Sequence, residues 1–303
     1  MTHFLVTGGA GFVGSHLVDR LVTMGRVTVL DNLTTGQRDN VNAKAELVVG
    51  DVRDAALTNR LINHADAVFH LAAIASVQQC MDEPAASHAV NLSAFVGMLD
   101  SSRRRAGGVV PIIYASSAAV YGDTDVTPVN EGLPLRPISI YGADKAGCEL
   151  HARAAGQRGV PTFGLRPFNI YGPRQLAASP YSGVITVFTE RLRRNQPIII
   201  YGDGRQTRDF IHISDVVDFF VAALDKVSPK APVCNAATGK ETSVVDLAKN
   251  LCALLGHKED IQFAPARPGD IRRSVADISL AREMLGCVAK VEVAEGLVFV
   301  RQR

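Results

Sequence analysis

Thr7-Gly8-Gly9-Ala10-Gly11-Phe12-Val13-Gly14 is the stretch on which the fold of this 303-residue chain turns. The apolar run His3 to Thr7 precedes the glycines and reads as a strand. After them comes a periodic segment, Ser15 to Met24, with Leu17, Val18, Leu21 and Val22 on one face and a stop at Gly25. The order is strand, glycine turn, helix. A second strand, Val27 to Leu30, ends in Asp31-Asn32. In such a unit Gly8, Gly11 and Gly14 let the backbone turn tightly, approach a pyrophosphate and pack the helix on the sheet, while the helix N-terminus faces the phosphates. Asp31 stands 20 residues after Gly11, where a carboxylate binds the adenosine ribose hydroxyls and repels a 2′-phosphate. The expected dinucleotide is NAD rather than NADP.

Outward from this unit the alternation continues. Glu46 to Val49 reads as a strand running into Gly50-Asp51-Val52, and Ala55 to His64 as a helix. Ala67 to Leu71 is a strand ending in Ala72-Ala73; Pro84 to Arg105 is a long helical stretch, and Val109 to Tyr114 a strand. Strands alternating with helices predict a parallel sheet covered on both faces. Asp51 falls at a strand's C-terminal end, where ligands bind in such sheets, but a turn or cap aspartate sits in the same kind of place. The later half is less regular, with helices expected at Val184–Arg194, Ser214–Leu224, Ser243–Leu255 and Ile278–Leu285 between loops rich in Arg and Gly. It shows no repeat, low-complexity run or linker.

Composition narrows the classes of function. A formal net charge of +2 makes no case for nucleic acid or an anionic membrane surface as partner. No apolar run approaches the roughly 20 residues of a membrane span. Phe4-Leu5-Val6 runs straight into the glycine turn, which is not the pattern of a signal peptide. The five cysteines, Cys80, Cys148, Cys234, Cys252 and Cys287, are scattered and lack metal-site spacing. They read as reduced thiols of a cytoplasmic protein, and no metal site is expected.

Beyond the strand ending at Tyr114 lies Ala115-Ser116-Ser117-Ala118-Ala119-Val120-Tyr121-Gly122. A loop with Pro128, Pro134 and Pro137 then leads to Tyr141-Gly142-Ala143-Asp144-Lys145 at the start of a helix. Four-residue spacing puts Tyr141 and Lys145 on one helix face. A free tyrosine titrates at about 10 and is a poor base at neutral pH unless a neighbouring cation favours its phenolate. Alone, such a pair is as well explained by the surface of an amphipathic helix, and Ser117 by a turn or cap. Together with the glycine turn it reads as an acid/base pair with Ser117 as proton relay.

These segments make the chain resemble the extended short-chain dehydrogenase/reductase family, in particular its nucleotide-sugar 4-epimerases. The resemblance is carried by Thr7 to Gly14, Asp31-Asn32-Leu33, His70-Leu71-Ala72-Ala73, Ser116 to Gly122 and Tyr141 to Lys145. It extends through Leu165 to Gln175, Tyr201 to Phe210 and Arg267-Pro268-Gly269-Asp270, nearly the whole chain. It implies an α/β fold: a modified Rossmann, doubly wound parallel sheet at residues 1–169 and a smaller C-terminal α/β substrate-binding region at 170–303, with some segments interleaved. It also implies a homodimer built on Pro84–Arg105 and Tyr141–Gln157. Val90, Phe95 and Leu99 would serve that interface or the chain's own core.

Residue by residue, the resemblance implies that Ser117, Tyr141 and Lys145 are catalytic. It implies an NAD site of Gly8, Gly11, Phe12, Val13, Gly14, Asp31, Asn32, Asp51, Val52, Leu71, Ala72, Ala73 and Phe168, with Tyr141 and Lys145 reaching the same cofactor. A nucleotide diphosphate sugar, a UDP-sugar above all, would meet Ser76, Ser117, Asn169, Val184 and Tyr201. Arg208 and Arg267 would hold its diphosphate, where guanidinium binds bidentately. Asp270 would bind the nucleoside ribose, and Ser274 would flank the sugar 2-substituent, leaving room for an acetamido group. Related dehydratases carry Asp and Glu after the catalytic Ser or Thr; Ala118-Ala119 cannot move a proton, which disfavours that branch. The expected reaction is reversible hydride transfer at sugar C4. Its rivals are a 2-epimerase, a 4-ketoreductase, a dehydratase and a non-catalytic NAD-binding regulator on the same fold.

Overall fold

The computed structural model describes residues 1–176, 183–266 and 271–302. Fourteen strands lie in the described residues: β1 His3–Thr7, β2 Arg26–Asp31, β3 Glu46–Val49, β4 Ala67–His70, β5 Ile112–Ala115, β6 Thr162–Pro167, β7 Asn169–Tyr171, β8 Ile198–Tyr201, β9 Thr207–Arg208, β10 Phe210–His212, β11 Val233–Ala236, β12 Thr242–Ser243, β13 Ile261–Ala264 and β14 Arg273–Ser274. The helices are α1 Phe12–Leu21, α2 Ala55–Asn63, α3 Val77–Asp82, α4 Pro84–His88, α5 Ala94–Arg104, α6 Ile140–Gly156, α7 Val184–Arg193, α8 Ile213–Ala223, α9 Val244–Leu255, α10 Ser279–Leu285 and α11 Val293–Gly296.

Seven strands form one parallel sheet in the order β11-β6-β5-β4-β1-β2-β3. Successive side chains of a strand point to opposite faces. Phe4 and Val6 accordingly enter the core shared with Leu17 of α1 and Phe220 of α8, whereas Leu5 packs with Phe95 and Met98 of α5 on the other side. β11 joins this sheet from well beyond residue 170, beside β6. A third core gathers Phe188 and Leu192 of α7, Ile198 and Ile200 of β8, and Leu247 and Leu251 of α9. Three short strands make a separate sheet, β12-β9-β14.

Several expected elements differ from those observed. The first helix starts at Phe12 rather than Ser15, because Ser15 N already donates to Gly11 O. Pro84–Arg105 is not one α-helix: a π-helical stretch at Ala89–Ser93 separates α4 from α5. There Asn91 is buried, and its amide group both donates to Ile74 O and accepts from Ile74 N, while Cys148 Sγ donates to its carbonyl. Such bulges widen a helix where a side chain or a neighbour claims its backbone. The strand expected from Val109 starts at Ile112; Pro111 has no N–H, and Val110 N is taken by Ser102 Oγ. The later half also holds strands that helical periodicity did not reveal. Phe95 and Leu99 lie in the chain's own core, with Val90 packed against it.

Candidate active site

The glycine turn is dictated by close packing. Gly8 has φ +72°, and a Cβ there would stand 2.7 Å from Ala72 N; a Cβ at Gly14 would stand 2.1 Å from Gly8 O. Both positions therefore exclude a side chain. At Gly11 a Cβ would meet only Gly8 O, at 3.2 Å, so the mouth of α1 stays open. Asp31 is buried at the end of β2, with Oδ2 accepting from Ala10 N at 2.9 Å and Oδ1 from Leu33 N at 2.8 Å. A carboxylate can accept about four hydrogen bonds, so each oxygen keeps a lone pair for a ribose hydroxyl. The open helix mouth beside a fixed carboxylate fits an NAD dinucleotide.

Asn32 and Asp51 stand beside this carboxylate and are joined by Asn32 Nδ2 donating to Asp51 Oδ2 at 3.1 Å. The Asp51 carboxylate also takes Arg53 N and Nε on Oδ1 and Arg53 Nη2 on Oδ2. The Arg53 hydrogen bonds hold its pKa well below the usual carboxylate range. An adenine amino group reaching Asp51 has to replace one of these donors. Val52 is buried behind it. Phe12, Val13, Leu71 and Ala72 pack part-buried against the two cores, and Ala73 follows them in the loop after β4. Phe168 is buried near Tyr121, with ring centroids 6.4 Å apart.

Opposite the ends of β4 and β5, α6 begins at a capped turn in which Ser139 Oγ accepts from Gly142 N. Gly142 lets this turn press onto the 118–121 segment: a Cβ on it would stand 2.6 Å from Ala119 O. Lys145 is buried and donates from Nζ to Ala115 O, at 2.7 Å, at the end of β5. The same Nζ lies 5.8 Å from the centroid of the half-buried Tyr141 ring. Ser117 Oγ accepts from Ala119 N at 3.1 Å, which leaves its hydroxyl proton to be donated. Ser117, Tyr141 and Lys145 are thus held by one strand end, one short turn and one helix start.

The candidate substrate residues fall in two groups. In the C-terminal group Arg208 and Ser274 are register partners in β9 and β14, and Asn169 lies on β7 paired with Phe210. Arg208 Nη1 donates to Ile271 O at 2.7 Å. Tyr201 is exposed at the end of β8, and Val184 opens α7. Ser76 is the N-cap of α3, in the loop that follows β4, its hydroxyl accepting from Gln79 N. Arg267 and Asp270 lie outside the described residues.

Sequence reasoning missed the groups that hold these residues in place. Ser116 Oγ donates to Glu149, whose carboxylate takes Arg166 Nε at 2.8 Å and Nη2 at 2.6 Å; all three are buried. Arg166 Nη1 also donates to Tyr121 OH, which donates in turn to Asn235 Oδ1 at 2.6 Å. Burial is the main cause that pushes Tyr121 up to about 12, so its phenol stays protonated as a donor. Asp209, wholly buried, is a second hub, and burial pushes its carboxyl up despite its hydrogen bonds. One signal was legible: Arg166 is a charged residue inside an otherwise apolar run, Leu165 to Phe168. Its partners are distant in the chain and left no trace there.

The fold and the site define an NAD-linked α/β enzyme of the short-chain type, with a serine, a tyrosine and a lysine at the C-terminal edge of its sheet. Residues 4–237 match the NAD dependent epimerase/dehydratase family, and the chain belongs to that family. A UDP-glucose 4-epimerase of Mycolicibacterium smegmatis is 37% identical over 97% of this chain and 95% of its own length. A crystal structure of UDP-glucose 4-epimerase from Thermotoga maritima with UDP-glucose has a TM-score of 0.94 at 35% identity, covering 99% of this chain and 98% of that one. UDP-N-acetylglucosamine 4-epimerase from Methanobrevibacter ruminantium, in complex with UDP-N-acetylmuramic acid, has a TM-score of 0.93 at 33% identity, covering 100% and 99%.

Proposed function

We propose that this chain interconverts the C4 epimers of a UDP-sugar, UDP-glucose and UDP-galactose first, with NAD held throughout the cycle. The observation that carries the reading is the tie between α6 and β5: Lys145 Nζ on Ala115 O and the close fit of Gly142 against Ala119 bring Tyr141 to the Ser117 turn. When bound, NAD supplies the hydride acceptor and donor. The chain's own residues then have one proton to manage, that of the sugar 4-hydroxyl. Ser117 donates a hydrogen bond to that oxygen and Tyr141 takes the proton the oxygen releases, with the Lys145 ammonium beside the ring. The same groups return the proton once the ketone presents its other face. Ala118 and Ala119, without ionisable side chains, add no acid to expel a 6-hydroxyl.

Gly8, Gly11, Gly14, Asp31 and Asn32 hold the cofactor in this reading, and Arg208, Ser274, Asn169 and Tyr201 meet the UDP-sugar. Residues 1–169 supply the cofactor side and residues 170–303 most of the substrate side, with Asn169 at the boundary between them and β11 returning to the first sheet. The relatives that act on UDP-glucose and on UDP-N-acetylglucosamine support a substrate of this class. We also propose a cytoplasmic homodimer across the 84–105 stretch and α6, where Leu150 is exposed.

One preparation tests the chemistry. Denatured protein should release NAD, and the intact protein should equilibrate UDP-glucose with UDP-galactose without net change at the nicotinamide absorbance. Tyr141→Phe should keep the NAD and lose turnover. Stoichiometric consumption of NADH would mark a reductase instead. Ser274 leaves room for a 2-acetamido group, so UDP-N-acetylglucosamine should also turn over, and Ser274→Tyr should remove that activity alone. No turnover of the N-acetylated sugar by the unaltered enzyme would sink this part.

A further inference from the structure

Asp209 occupies the point where every described C-terminal strand with a candidate substrate residue converges, apart from β8. Its backbone N donates to Ser274 O at 2.8 Å, and its carbonyl accepts from Asn169 N at 3.0 Å. Its side chain is completely buried and takes four donors. Oδ1 accepts from Thr238 N at 2.9 Å and Thr238 Oγ1 at 2.6 Å; Oδ2 accepts from Gly239 N at 2.8 Å and Ala276 N at 3.3 Å.

These bonds have a geometric consequence. Thr238 and Gly239 lie in the loop between β11, the edge of the seven-stranded sheet, and β12. β12 pairs with β9 so that Thr242 opposes Arg208, and β14 pairs on the other side so that Ser274 opposes Arg208. Ala276 follows β14 by two residues. The Asp209 carboxylate therefore clamps the chain on both flanks of Arg208, and three of its four donors are backbone N–H groups, which have no rotamer freedom of their own.

We propose that Asp209 is a positioning residue for the nucleotide sugar: its carboxylate sets the distance of β12 and β14 from β9 and so aims Arg208 at the diphosphate and Ser274 at the sugar. The inference rests on the reading that this face takes the UDP-sugar. A carboxylate is needed because both oxygens face backbone N–H groups. An asparagine, set either way round, would point its NH2 at one of them and leave that bond unmade.

Three variants of the full-length enzyme test it, with UDP-glucose as substrate. Arg208→Ala should raise KM at least about tenfold, which checks the face itself. Asp209→Asn should raise KM by about the same factor while kcat at saturation stays within about threefold and bound NAD is unchanged. Should Asp209→Asn fold poorly, Thr238 carries the test: Thr238→Val should raise KM roughly threefold or more, and Thr238→Ser, which keeps the hydroxyl, should restore it. If Arg208→Ala raises KM but neither Asp209→Asn nor Thr238→Val does, the positioning role is overturned. It is overturned as well if Asp209→Asn loses only kcat and stability while Thr238→Val keeps a normal KM. An unchanged KM in Arg208→Ala would instead overturn the assignment of the face, and the positioning role with it.

Discussion

Lys145 Nζ lies 2.7 Å from the carbonyl oxygen of Ala115, the last residue of β5. The contact joins the helix that carries Tyr141 to the strand that delivers Ser117, across a sequence separation of 30 residues. An ammonium has three donors, so one spent on Ala115 leaves two for a ligand and the tyrosine oxygen. The lysine is thus both a strut and a charge.

Replacing it should separate these roles. Lys145→Met should lower kcat at least about 100-fold, the usual contribution of an acid/base partner. It should also cost about 1–3 kcal/mol in stability, because the part-buried Ala115 carbonyl loses its donor. Turnover and denaturant unfolding on the same preparation check both. Full activity in a destabilised variant would leave Lys145 as a strut only.

Gly142 tests how finely α6 has to be set. Gly142→Ala puts a methyl 2.6 Å from the Ala119 carbonyl, a backbone atom that cannot swing aside. A shift of about 1 Å between reacting groups can cost on the order of 100-fold in rate. We expect kcat to fall steeply with NAD retained. Gly147→Ala serves as the control, because its methyl meets the Leu92 side chain, which can move. Equal effects at the two positions would refute a special role for the Gly142 contact.

The buried pair of Arg166 and Glu149 should behave as one unit. Arg166→Met leaves a carboxylate buried without its partner and should cost about 3–5 kcal/mol in unfolding free energy. Adding Glu149→Leu should recover part of that loss, because the stranded charge is gone. A double variant less stable than Arg166→Met would show that the pair's worth is not in mutual neutralisation.

His70 makes stability depend on pH. Burial, with a smaller effect from the Lys145 charge, lowers its pKa from 6.5 to about 3. The folded ring stays neutral, so below about pH 6.5 the unfolded chain binds a proton that the folded chain does not. Stability should therefore be full above pH 6.5 and fall toward pH 3, with a slope from this group of up to about 1.4 kcal/mol per pH unit. His70→Asn, which can keep a hydrogen bond to Thr7, should lose that share of the slope. Identical pH profiles would place the dependence elsewhere.

The chain's local order was legible because it is written in neighbouring residues. The glycine turn, Asp31 at the next strand's end and the four-residue step from Tyr141 to Lys145 each need only geometry a few residues long. They were enough for the parallel sheet and the NAD-linked class. What joins these segments was not legible. Lys145 finds Ala115, Arg166 finds Glu149 and Asn235 finds Tyr121 over separations of 30, 17 and 114 residues, and no local periodicity encodes such pairs. The π-helical break at Asn91 belongs with them, since it answers to Ile74 and Cys148 rather than to its own neighbours. Sequence alone determined the order of strand, glycine turn and helix and with it the NAD-linked class. Only the tertiary structure decided how the site residues are held, because a buried polar group has to find its partner in space, wherever the chain supplies it.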